Sequence, residues 1–182
     1  MLSVNTSTHK YINERNKTIL IMLIETGIRN LELCNLQTSD IRNNTLRIFG
    51  KGNKERYVAI TPELFKQMGR YERVKSNYMS DKVAKCDNYF VSQSQRPLTI
   101  EMIEKIIRKV GELAKVRDEI RCSPHTFRHY FAQTQVKNGL DIFSLSRILG
   151  HSNISITHRY LQSMSNDDIL QKSILTSPLR NI

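Results

Sequence analysis

The chain has 182 residues, of which 39% are hydrophobic and 25% charged, with a net charge of +11 and a pI of about 9.8. That length suits one domain with a real hydrophobic core. No apolar run is long enough to span a bilayer, and the N-terminus lacks the basic start, apolar middle and small-residue end of a secretory signal, so the cytoplasm is the expected compartment.

Residues 1–10 are small and polar, a linker or a frayed end. A helix is expected from about Tyr11 to Glu25, with Ile12, Ile19, Leu20, Leu23 and Ile24 buried and Gly27 ending it where the left-handed backbone is tolerated. Asn30 is the expected cap of a short helix carrying Leu31, Leu33 and Leu36. Thr45 to Phe49 and Arg56 to Ile60 flank a Gly/Asn cluster and predict a hairpin, with a short strand before it near Asp40 and Ile41. Thr61-Pro62 starts a helix, with Ile60 placed to staple onto Phe65. Tyr89 to Val91 predicts an edge strand. Thr99 caps a helix whose stripe is Ile103, Ile106, Ile107, Val110 and Leu113. Ser123-Pro124 opens another helix, closed by Gly139. Asp141 caps a third, with Ile142, Leu145, Ile148 and Leu149 inward and Gly150 at its end. Asn153 caps a short helix through Tyr160, and Ser165 or Asn166 starts a last one with Ile169, Leu170 and Ile174. The fold class expected is mainly α with a small antiparallel β-sheet (α+β).

Three cysteines, Cys34, Cys86 and Cys122, stand far apart with no CxxC pair, which argues against a disulfide framework or a cysteine zinc site. The positive excess needs a polyanionic partner, and nucleic acid leads because neutralising phosphates releases counterions. An anionic membrane surface is disfavoured, since the basic residues are spread along the chain rather than gathered on one amphipathic helix.

Four segments carry residues suited to phosphate chemistry. His125-Thr126-Phe127-Arg128-His129 begins a helix, placing an imidazole and a guanidinium on one face beside open backbone N–H groups. His125 and His129 are at i and i+4, but Thr126 stands where the zinc motif needs a glutamate, so no metal is expected. Gly150 turns the chain sharply so that His151 projects, with Tyr160 following at the end of a short helix. Arg29 follows a glycine turn, with Glu32 placed either to orient it or to form a solvated surface pair. Gly50-Lys51-Gly52-Asn53-Lys54-Glu55-Arg56 is a basic hairpin tip and not a nucleotide loop, because no Gly-Lys-Ser/Thr end follows at the required spacing. Each segment alone is also readable as an ordinary capped helix, packed tyrosine or charged turn.

Taken together and in this order, TGIRNLEL, GKGNKER, HTFRHYFA and LGHSNISITHRY resemble the catalytic domain of the phage-integrase family, the tyrosine recombinases, over about Arg15 to Leu161. The resemblance implies a DNA breaking-and-rejoining enzyme, independent of metal, ATP and any other cofactor, that carries out site-specific recombination such as integration or excision of a phage or mobile element. It implies that Arg29 and Arg128 clamp the scissile phosphate, that Lys51 protonates the leaving 5′ oxygen, and that His125 assists proton transfer at the tyrosine oxygen. His151 would hydrogen-bond the phosphate, and Tyr160 would attack to give a 3′-phosphotyrosine. His129 and Glu32 would be supporting, and Lys54 and Arg56 would touch the DNA backbone. The domain reading that follows is a lead over residues 1–10, a catalytic domain over 11–164 and a tail helix over 165–182, docking on a neighbouring copy or packing on its own domain. Double-stranded DNA is the implied partner, with a homotetramer on paired sites and a monomer without DNA. Family members carry a helical DNA-binding domain ahead of the catalytic one, so the chain is expected to be a fragment of a larger protein. A topoisomerase-like nicking-closing enzyme and a silent DNA-binding regulator are the alternatives. The integrase-type strings argue against the first, and the complete set of reactive residues argues against the second.

Overall fold

The computed structural model describes residues 1–50, 52, 54–80, 86–151 and 153–159. Among them the order is α1 (Lys10–Thr26), α2 (Asn30–Asn35), a 3-10 turn (Thr38–Asp40), β1 (Ile41–Arg42), β2 (Thr45–Phe49), β3 (Glu55–Ala59), α3 (Pro62–Met79), α4 (Ile100–Leu113), α5 (Pro124–Lys137), α6 (Ile142–Leu149) and α7 (Ile154–His158). The strands form one antiparallel sheet in the order β1-β2-β3. This is the mainly helical class with a small sheet that the sequence predicts. The chain divides into two units, Met1–Arg128 and His129–Ile182.

In the first unit, α1 ends as expected. Gly27 is left-handed, at φ 58°, and its N–H reaches the Leu23 carbonyl. The buried side of α1 is wider than one apolar stripe. Ile12 and Ile24 are only partly buried, whereas Tyr11, Arg15, Asn16 and Met22 are buried. The reason is that α1 packs on α3 and also on the segment around Val91: the Tyr11 hydroxyl and the Arg15 guanidinium both donate to the Val91 carbonyl, at 2.8 and 3.0 Å. Tyr11, Tyr71, Tyr89 and Phe90 pack ring against ring at the centre.

That cluster also corrects the edge strand expected over Tyr89 to Val91. These residues are buried and make only isolated bridges, Gln37 with Asn88 and Val91 with Pro97. Their carbonyls are taken by side chains instead: Tyr71 and Lys75 donate to Tyr89 O, as Tyr11 and Arg15 do to Val91 O. The hairpin is present, with Leu46 opposite Val58 and Ile48 opposite Arg56. Asp40 closes the 3-10 turn rather than starting the strand, and its carboxylate accepts from Gln37 N and Arg47.

Thr61 caps α3 by accepting from Leu64 N, with Pro62 at the first helical position. The expected staple is absent, since Phe65 is 60% exposed. Ile60 is buried and instead extends the sheet edge by donating to Asn44 O at 2.8 Å. Thr99 caps α4. The α4 stripe is narrower than expected: Ile103, Ile107 and Val110 are buried, but Leu113 is exposed and Ile106 only partly covered, because Gly111 completes the buried face against Cys122. Leu31 on α2 is likewise exposed, while Leu33 and Leu36 are buried. The three cysteines are free thiols, and burial beside Glu101 pushes that of Cys34 up to about 11.

In the second unit, Phe131, Ala132, Val136, Leu145 and Leu149 form the core. Asp141 caps α6 through Ser144 N, and Gly150 ends it at φ 65°. Asn153 caps α7, which ends at His158, short of the expected Tyr160. Tyr160 and the expected tail helix over 165–182 lie outside the described residues. Among the described residues no helix is long and apolar enough to cross a membrane.

Candidate active site

The first unit holds a three-residue charge node built from two chain segments. Gly27 ends α1, and the chain leaves it extended so that Arg29, rather than the expected Asn30, is the cap of α2, because Glu32 folds back onto the Arg29 backbone; Asn30 is already the first helical residue. From the first turn of α2, Glu32 folds back. Its carboxylate accepts from the Arg29 backbone N–H and from Arg29 Nη1, both at 2.9 Å. From β3, Arg56 reaches the same carboxylate with both arms, Nη1 to Oε1 at 2.8 Å and Nη2 to Oε2 at 2.6 Å. The Glu32 and Arg56 side chains are 6% and 9% exposed, whereas that of Arg29 is 38% exposed. One carboxylate between two guanidinium groups leaves a net positive charge, and the exposed arginine presents it to solvent.

Burial alone would raise the Glu32 carboxyl. The paired Arg56 and then Arg29 outweigh that, and its pKa lies below the usual glutamate value. Glu32 is thus an orienting group in the interior rather than the surface pair left open by the sequence. The Arg56 guanidinium is engaged by Glu32 inside the protein.

Arg128 approaches the same turn from α5. Its side chain is buried, and Nη1 donates to the Gly27 carbonyl at 2.6 Å, a partner two residues ahead of Arg29. The two arginines singled out from distant segments are thereby brought to one turn. The start of α5 is held by Ser123, whose hydroxyl accepts from Thr126 N at 3.3 Å, while the Thr126 hydroxyl donates to Arg121 O at 2.6 Å. That fixes the first helical turn, on which His125 is exposed.

In the second unit His151 follows Gly150 as expected. Its N–H donates to Ser146 O at 3.0 Å, and its Nδ1 pairs with the Thr157 hydroxyl at 2.8 Å. Thr157 is fully buried on α7, so the imidazole is held by the helix that leads toward Tyr160. Thr157 was not singled out in the sequence, because a threonine in a short polar helix carries no distinguishing pattern. The Arg56–Glu32 pair was likewise invisible, since its partners lie on separate elements. His129 is exposed on α5. Lys54 is exposed at the hairpin, where its carbonyl accepts from Gly50 N at 2.9 Å. Lys51 and Tyr160 lie outside the described residues. Among the described residues no group of His, Cys, Asp and Glu could hold a metal ion.

The sequence matches the phage integrase family over residues 3–167. It is similar to a tyrosine recombinase of Agathobacter rectalis, 34% identical over 149 residues that cover 80% of this chain and 47% of that protein. Among solved structures it is similar to the XerA recombinase, with TM-score 0.77 and 30% identity over 92% of this chain and 60% of that one. It also shares the fold of the XerH site-specific recombinase in a post-cleavage complex on palindromic difH substrate, with TM-score 0.75 and 22% identity over 95% of this chain and 48% of that one. The chain spans about half the length of such relatives.

Proposed function

The chain belongs to the phage integrase family, and from that premise we propose that it is the catalytic part of a tyrosine site-specific recombinase, which cuts and rejoins double-stranded DNA without metal or ATP. The observation that carries this reading is the bond from Arg128 to the Gly27 carbonyl, which seats the second arginine against the turn bearing Arg29. Two guanidinium groups suit the non-bridging phosphate oxygens because each planar fork stays charged and binds in two places. They act where negative charge builds in the transition state.

The proposed steps balance as follows. The Tyr160 oxygen forms a bond to phosphorus as the bond from phosphorus to O5′ breaks. The phenolic proton passes to His125, and Lys51 delivers a proton to O5′. The products are a 3′-phosphotyrosine and a free 5′-hydroxyl. His151 donates a hydrogen bond to the phosphate, held in place by Thr157. A free phenol ionises near pH 10, so surrounding cations are needed to favour its anion at neutral pH. The covalent linkage conserves the energy of the broken bond, and attack by a 5′-hydroxyl rejoins the strand.

The DNA complex of XerH supports double-stranded DNA as the substrate. Recombination pairs two sites and cuts four strands, which calls for four copies of this chain on DNA. The residues at 165–182 are the candidate docking segment between them, and integration or excision of a mobile element in the cytoplasm is the process proposed. The test is to incubate the chain with randomised duplexes carrying single nicks and to recover SDS-resistant protein–DNA adducts. Adducts are expected with the unaltered chain, and sequencing their DNA reveals the cleavage site. Tyr160→Phe is expected to abolish them, and adducts that persist in that variant would disprove Tyr160 as nucleophile.

A further inference from the structure

We infer that Arg56 is a positioning residue: its two-armed pair with Glu32 fixes the stem of the β2–β3 hairpin, the stem that leads in sequence from Gly50 to Lys51, to the turn that presents Arg29. This rests on the function proposed above, in which Lys51 is the general acid.

Arg56 sits on β3 opposite Ile48, near the base of the hairpin tip. Its guanidinium is 9% exposed and binds both oxygens of Glu32, at 2.8 and 2.6 Å, so it faces the interior. The same carboxylate holds the Arg29 side chain and backbone. Gly50 lies alongside the pair. A Cβ added there would stand 3.6 Å from Arg56 Nη1 and 3.8 Å from Glu32 Oε1. Gly50 closes the tip by donating to Lys54 O at 2.9 Å, and Lys51 is its chain neighbour. A two-stranded ribbon end has little stability of its own. The tie to Glu32 sets where the stem residues Gly50 and Arg56 stand relative to Arg29. Arginine suits the task because its fork matches a carboxylate in two places, which a lysine cannot do. Displacing a general acid by about 1 Å costs on the order of 10²-fold in rate.

The experiment compares adduct formation by the full chain on two nicked duplexes built on the recovered cleavage site, one with the ordinary 5′ oxygen and one with sulfur in its place. Departure of a 5′ thiolate needs no proton, so the sulfur substrate bypasses the general acid. Lys51→Ala is expected to lose about 10²-fold or more on oxygen and to recover on sulfur. Arg56→Lys is expected to follow that pattern, losing about 10²-fold on oxygen and recovering on sulfur, whereas Glu32→Gln, which also releases Arg29, stays impaired on both. Equal loss by Arg56→Lys on the two substrates, or no loss on either, overturns the inference. Hydrogen exchange without DNA gives a second measurement. The Gly50 amide is expected to lose protection in Arg56→Lys while the amides of α1 keep theirs, and unchanged protection at Gly50 also overturns it. An unaltered chain that forms no adduct on either substrate sinks the proposed function and this inference with it, whereas adducts from the unaltered chain combined with a wrong Arg56 pattern sink the inference alone.

Discussion

At the scale of residues, Glu32 holds the node together and shows what the sequence could and could not disclose. Its pairing with Arg29 is a near-neighbour relation at helical spacing, and the sequence placed it. Its stronger tie is to Arg56, two-armed and buried, and nothing along the chain announces that. Removing one partner of such a buried pair leaves an uncompensated charge, so Glu32→Ala is expected to cost about 3–5 kcal/mol. The leg to the half-exposed Arg29 contributes a small share, because solvent screens it. The pH dependence has a definite sign. The folded carboxyl titrates below its ordinary value, so its stabilisation is complete above the unfolded glutamate pKa of about 4.3 and is lost as pH falls through the lower folded value. Urea unfolding should show the unaltered chain well ahead of Glu32→Gln at neutral pH, with the gap closing toward pH 3. A gap that stays constant into acid would contradict the assigned pairing.

At the scale of elements, caps and turns were legible because they depend on residues a few positions apart. Thr61, Thr99, Asp141 and Asn153 cap α3, α4, α6 and α7 as read from the sequence. The segment around Tyr89 was misread as an edge strand because its β-favouring residues serve a tyrosine cluster contributed by α1 and α3. The extent of apolar stripes was also hidden, since Leu113 is exposed while Gly111 is buried. That burial yields a test. Alanine in place of glycine inside a helix ordinarily stabilises by about 0.5–1 kcal/mol. At Gly111, however, the new Cβ would lie 2.5 Å from Cys122 Sγ, and overpacking of this kind costs about 1–3 kcal/mol. Gly111→Ala should therefore lower the thermal midpoint, and adding Cys122→Ala should recover part of the loss. Additive effects of the two substitutions would show that the two residues do not meet.

At the scale of the whole molecule, the net charge of +11 bears on association with DNA rather than on the fold. Binding driven by phosphate neutralisation weakens steeply with salt. Affinity for duplex DNA, followed by fluorescence anisotropy, should fall by at least about tenfold between roughly 50 and 200 mM monovalent salt. Salt-insensitive binding would argue that contacts other than phosphate neutralisation dominate.

The amino-acid order by itself determined the described helices, the caps of α3, α4, α6 and α7 and the hairpin, because spacing and local backbone preference act between near neighbours. It also carried the family likeness that the comparisons establish. Which cation meets which anion was decided only by the tertiary structure. Arg128 reaches the Gly27 carbonyl from another helix, and Arg56 meets Glu32 rather than solvent. Such contacts exist only once remote segments are folded together and water is excluded between them, and no periodicity along the chain encodes that proximity.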